Sequence, residues 1–196
     1  MTRSVEVHIV PDTEVGFGRI GGMPPEGVEP SRPGRYFVSF ALHDGTDDAA
    51  SMFLHFDFDG MADARGIVGV HESEVSVVVH PPAPRTTTSE FASELSGHAL
   101  VAGEEVDDMP EPEPDDDEFE PQPIGGHKLG GEPHLIRHKA TTIDSLAAAK
   151  ADGFEHCLQI DFPSRDDDDI RGDWPFGDGI MQIFRNGRQF RFLWDF

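Results

Sequence analysis

One short string occurs twice in this chain: Arg19-Ile20-Gly21-Gly22-Met23-Pro24 and Lys128-Leu129-Gly130-Gly131-Glu132-Pro133. Both read basic residue, aliphatic residue, Gly-Gly, any residue, proline. Paired glycines reach positive φ without strain, and a nearby proline fixes the exit and cannot donate a helical hydrogen bond. The spacing therefore predicts a backbone turn, used twice, with an apolar strand-like segment after each copy. It also removes a competing reading. Gly16-Phe17-Gly18-Arg19-Ile20-Gly21 matches the dinucleotide-loop pattern, but that loop must open a helix whose first turn receives the pyrophosphate. Pro24 and Pro25 forbid that helix.

A second feature divides the chain. Glu104 to Glu120 holds eleven acids and no base, and Pro110, Pro112, Pro114 and Pro121 interrupt Val106 to Gln122. Such a stretch buries little apolar area and is expected to form an exposed, mobile linker. The organisation expected is a first half at 1–103, an acidic linker at 104–123 and a second half at 124–196, packed as one compact domain.

In the first half, Val5 to Val10, Tyr36 to Leu42 and Met52 to Phe58 alternate as strands do. Met52, Leu54, Phe56 and Phe58 share one face, opposite Phe53, His55 and Asp57. Ile67 to Val70 and Val75 to Val79 read as strands flanking a hairpin loop at His71 to Glu74. Thr87-Thr88-Ser89-Glu90 has capping-box spacing and predicts a short helix stopped by Gly97.

In the second half, Thr141 or Thr142 can cap a helix running to Lys150 and ended by Gly153. Phe154 to Phe162 follows as a buried strand. Ile180 to Phe184 and Arg188 to Leu193 predict a hairpin around a two-residue Asn186-Gly187 turn. In that register Met181, Ile183, Phe190 and Phe192 share a face and Gln182 pairs with Arg191. Between halves, Tyr36 to Phe40 corresponds to His156 to Ile160. The fold class expected is α+β: sheet-rich, mostly antiparallel, two related sheet-containing repeats and a few short helices.

Charge narrows the function classes. The formal net charge of the 196-residue chain is −23 at neutral pH, a field that repels nucleic acid and attracts a basic protein partner. No apolar run reaches the ~18 residues of a membrane span, and the N-terminal residues enter a strand pattern rather than a signal-peptide core. A soluble, cytoplasmic protein is expected. The lone Cys157 excludes an internal disulfide and reads as a buried strand residue.

Chemical motifs are sparse. His134 and His138 have helical i, i+4 spacing, but no glutamate stands between them and Pro133 precedes, so no metal is assigned. Asp166, Asp167, Asp168, Asp169 and Asp173 lack the spaced oxygens of a calcium loop and are assigned as partner-binding carboxylates. No phosphate loop, nucleophile elbow or Cys-His pair occurs, so no catalytic residue or cofactor is assigned. The alternative is an enzyme or small-ligand protein with a site between the repeats, where Asp161, Asp178 or His156 could converge.

Lys128 to Pro133, then Leu158-Gln159-Ile160-Asp161, then Phe176-Gly177-Asp178-Gly179 leading into an apolar strand, resembles the bacterial YwqG-like family of unknown function. The likeness covers Gly125 to Phe196 and reaches the first half through Gly21, Gly22 and Pro24. It implies an α+β bacterial protein with no catalytic residues to carry over. It further implies an antitoxin-like role, an immunity protein neutralising a cationic polymorphic toxin.

Overall fold

The computed structural model describes residues 3–12, 15–31, 34, 36–42, 45–55, 75–108, 126–135, 140–161 and 179–195. Ten strands and one α-helix make up the regular structure there: β1 Arg3–Pro11, β2 Gly18–Ile20, β3 Tyr36–Ala41, β4 Ala49–Leu54, β5 Val75–His80, β6 His98–Asp107, β7 Lys128–Gly130, α1 Ala140–Ala151, β8 Glu155–Ile160, β9 Ile180–Asn186 and β10 Gln189–Asp195. They form a single sheet in the order β10-β9-β8-β7-β1-β6-β2-β3-β4-β5, and every pairing is antiparallel. The sheet-rich, mostly antiparallel expectation holds.

Strand alternation decides what faces inward. Tyr36, Val38 and Phe40 on β3, Ala50, Met52 and Leu54 on β4, and Leu158 and Ile160 on β8 join Met181, Ile183, Phe192 and Trp194 in one buried cluster. The sheet curls around it into a nearly closed barrel, because both ends of the strand order contribute to the same core. Outward residues build two smaller clusters. Phe37 and Phe53 pack with Val28 beside Phe91, and Phe184 and Leu193 pack with Ala149 and Phe154.

Helix α1 seals that last cluster. It starts at Ala140, so Thr141 and Thr142 lie inside it and not at the cap. Its C-terminal end follows the sequence reading: the Phe154 N–H donates to Ala149 O at 2.9 Å and the Gly153 N–H to Lys150 O at 3.0 Å, with Gly153 at φ +77°. This paired closure, with Phe154 packed back on Ala149, satisfies carbonyls the helix leaves open.

Several expectations need correction. No helix forms between Ser89 and Gly97. There the Ser89 and Ser93 hydroxyls accept from the Phe91 and Leu95 N–H groups, and the Ser93 N–H donates to Gly22 O at 2.9 Å. Local serine bonds and a distant carbonyl outcompete the helical ladder. Strand β4 starts at Ala49, ahead of the apolar run, because ladders with β3 and β5 extend it. Phe56, Phe58, Ile67 to Val70 and the His71 to Glu74 loop lie outside the described residues. Strand β6 runs to Asp107 and pairs there with Arg3, so the acidic stretch begins inside a strand. Residues 109–125 lie outside the described residues.

The hairpin forms with its turn displaced by one residue. Asn186 pairs with Gln189, leaving Gly187-Arg188 as the loop, and Gly187 has φ +59°. Gln182 therefore faces Leu193, and Arg191 faces Phe184, in place of the expected Gln182 to Arg191 pair. The register moves by two residues, an even step, so the inward set survives unchanged.

Candidate functional site

Each Gly-Gly string ends a three-residue strand, and all four glycines have positive φ: +72° and +71° at Gly21 and Gly22, +67° and +70° at Gly130 and Gly131. The basic residue that opens each string meets an acid just past a long strand. Lys128 Nζ donates to Asp108 Oδ1 at 3.0 Å and to Glu132 O at 2.5 Å, and the two side chains are 4% and 7% exposed. Asp108 also accepts from Ser4 Oγ at 2.7 Å and the Glu132 N–H at 2.8 Å. Burial raises the Asp108 pKa, but those hydrogen bonds and the Lys128 charge outweigh it, so the carboxyl stays below its ordinary value. In the first half Asp12 takes Arg85 and, at 3.6 Å, Arg19.

His156 closes the second turn. Its Nδ1–H donates to Gly130 O at 2.9 Å, and burial is the main cause that lowers its pKa to about 4. The ring is neutral near pH 7. Between about 6.5 and 4 an unfolded chain protonates this histidine while the folded one does not, so stability must fall as pH falls across that window. The loss is on the order of 2–3 kcal/mol. Urea titrations at pH 7 and 4.5 should give a smaller difference for His156→Gln than for the wild type. Equal differences would refute the assignment.

Cys157 is inert by the same logic. Its thiol donates to Ile183 O at 3.3 Å and burial pushes its pKa up to about 12. Native protein at pH 8 is expected to resist a thiol-specific reagent that labels the urea-unfolded chain completely; rapid native labelling would contradict the packing.

An opening lies where the ends of the sheet approach each other. A cleft of about 520 Å³ is lined by Met52, Val75, Val77 and Val79 on one side and by Phe190, Phe192, Gln189, Arg188, Arg191 and Phe154 on the other. Ties between first-half and second-half residues lie close by: Arg188 pairs with Asp48, and Arg185 Nη1 donates to Leu42 O at 2.9 Å. Arg191 pairs with Asp152 at 2.7 Å and lies over the Phe154 ring at 4.2 Å.

Asp166, Asp167, Asp168, Asp169, Asp173 and Asp178 lie outside the described residues, as does His138. Asp161 follows β8, where its N–H donates to His127 Nδ1 at 3.0 Å. His156 is occupied at the Gly130 turn, and neither residue lines the cleft. Among the described residues no group of histidine, cysteine and carboxylate side chains is arranged to hold a metal. No described helix is long and apolar enough to cross a membrane.

Sequence reading missed Asp12 and Asp108, though an acid soon after Val10 and Val106, ahead of each Gly-Gly string, was a usable signal. It expected a site between the repeats but did not name the residues that line this cleft. Val75 to Val79 and the last hairpin were both legible, but nothing local makes them neighbours. Compared with models of known protein families and with curated proteins, the sequence matches none.

Proposed function

We propose that this is a non-enzymatic cytoplasmic binding protein that captures a basic protein partner, in the manner of an immunity protein neutralising a cationic toxin. The observation that carries this reading is the distribution of charge. Every described lysine and arginine has an internal partner: Arg3, Arg19, Arg85, Lys128, Lys150, Arg188 and Arg191 form ion pairs, and Arg185 holds a carbonyl. Glu26, Glu29, Asp47, Glu90, Glu104 and Asp144 are exposed. With a net charge of −23 the outward field belongs to carboxylates, which speed encounter with a cationic surface.

Asp166, Asp167, Asp168, Asp169 and Asp173 are the partner-binding carboxylates of this reading. Changing all five to Asn should slow association with the partner by roughly tenfold at low salt and by less at high salt. The test is co-expression with a toxin encoded beside this protein, together with affinity purification from the native host. Absence of protection and recovery of no basic protein would remove the reading.

We also infer that the halves are copies of one five-strand unit, in keeping with the YwqG-like resemblance. Read from either end, the strand order pairs β1 with β6, β2 with β7, β3 with β8, β4 with β9 and β5 with β10. Arg19 faces Ser39 and Lys128 faces Gln159, the equivalence expected from the two strings. Strands β1 and β6 are then exchanged: β1 lies beside β7 and β6 beside β2.

A second reading, a small-ligand site where the halves meet, is favoured by the cleft between β5 and β10.

A further inference from the structure

We propose that the cleft between β5 and β10 binds an amphipathic organic anion, an apolar chain carrying a carboxylate; this rests on the second reading above and gives its ligand a chemistry. The cavity, about 520 Å³, falls within the ~300–1,000 Å³ typical of small-molecule sites, which are mostly apolar with a few polar groups that orient the ligand. Its apolar wall is an opening onto the core. Met52 and Phe192 belong to the central cluster and are 1% and 2% exposed, whereas Val77 on the edge strand is 36% exposed. A chain seated there would cover that valine and continue the packing inside the barrel.

The charge of the lining selects the head group. Among the described residues of the lining, Arg188 and Arg191 are the ionisable ones and none is a carboxylate, in a chain of net charge −23. Their ion-pair partners, Asp48 and Asp152, stand outside the lining. A guanidinium has five N–H donors in a planar fork, so one carboxylate does not exhaust it. Arg188, with its side chain 65% exposed, would exchange a surface pair with Asp48 for the ligand, while Arg191 is held between Asp152 and the Phe154 ring.

Strand direction argues against an extended peptide as the occupant. Because every pairing along the ten strands is antiparallel, β5 and β10 run opposite to each other. One inserted strand would be antiparallel to one wall and parallel to the other, a poorer ladder.

Isothermal titration of the full chain with dodecanoate, its methyl ester and dodecylammonium, all below their micelle concentrations, tests this. Dodecanoate is expected to bind one per chain, roughly tenfold or more tighter than the ester, as a charge-assisted hydrogen bond predicts. Arg188→Gln should erase most of that preference and keep ester binding. Val77→Trp should block both ligands with the melting temperature preserved. Equal affinity for acid and ester, tighter binding of the cation, or an acid preference that survives Arg188→Gln would overturn the anionic ligand and leave a small-ligand site standing. No one-to-one binding of any probe, or binding untouched by Val77→Trp, would overturn the site itself. Neither result bears on capture of a basic protein.

Discussion

Replacing Lys128 by Met should cost about 3–5 kcal/mol of stability, the usual consequence of leaving one member of a buried ion pair without its partner. Lys128 and Asp108 are nearly sealed from solvent, and the pair is completed by the Ser4 hydroxyl and the Glu132 N–H. Methionine matches the aliphatic stem, so packing changes little and the loss reports the charge. For a chain of this size the midpoint of thermal unfolding should drop by roughly 10 °C. Asp108→Asn added to Lys128→Met keeps an acceptor for Ser4 and should recover a large part of the loss. The deficit of the single variant should also shrink in acid, because protonation of Asp108 removes the unpaired charge. A loss under about 1 kcal/mol at pH 7 would mean that the pair is solvated and the assignment wrong.

The two glycines of the same turn are expected to respond differently to alanine. Both have positive φ, a conformation costing an L-residue about 1–2 kcal/mol. At Gly130 the added Cβ meets open space, so Gly130→Ala should lose only that amount. At Gly131 it would collide with both oxygens of the Asp108 carboxylate, forcing the buried pair apart. Gly131→Ala should therefore lose about 3 kcal/mol or more, strain plus a damaged ion pair. Chemical denaturation of the two variants decides it. Equal losses would show that backbone strain alone sets the requirement for glycine. Gly21 makes the same demand in the first half, where a Cβ would strike the Ser96 and Leu95 carbonyl oxygens.

Strand identity was largely legible because side chains alternate between the two faces of a sheet, a period of two that neighbouring residues encode. Tyr36 to Ala41, Glu155 to Ile160 and the last hairpin follow their patterns, and even the displaced hairpin turn kept Met181, Ile183 and Phe192 inward. The segment from Ser89 to Gly97 misled for the opposite reason. Its capping-box spacing is a local signal, while the bonds that fix it combine the Ser89 and Ser93 hydroxyls with Gly22, far away in sequence. The candidate site was less legible. The partner-binding aspartates follow from charge alone, whereas the cleft depends on two strands at opposite ends of the sheet.

By itself the sequence determined the turns and the faces. Paired glycines with a following proline admit one kind of backbone, and alternation assigns each side chain to one face of the sheet or the other. Only the tertiary structure decided which strands are neighbours. It put β1 beside β6 and β7, joined Lys128 to Asp108 across the acidic stretch, and brought Val77 near Phe190 at the cleft. Antiparallel ladders accept any strand of suitable pattern and length, so the choice among them falls to how the whole sheet closes around one core.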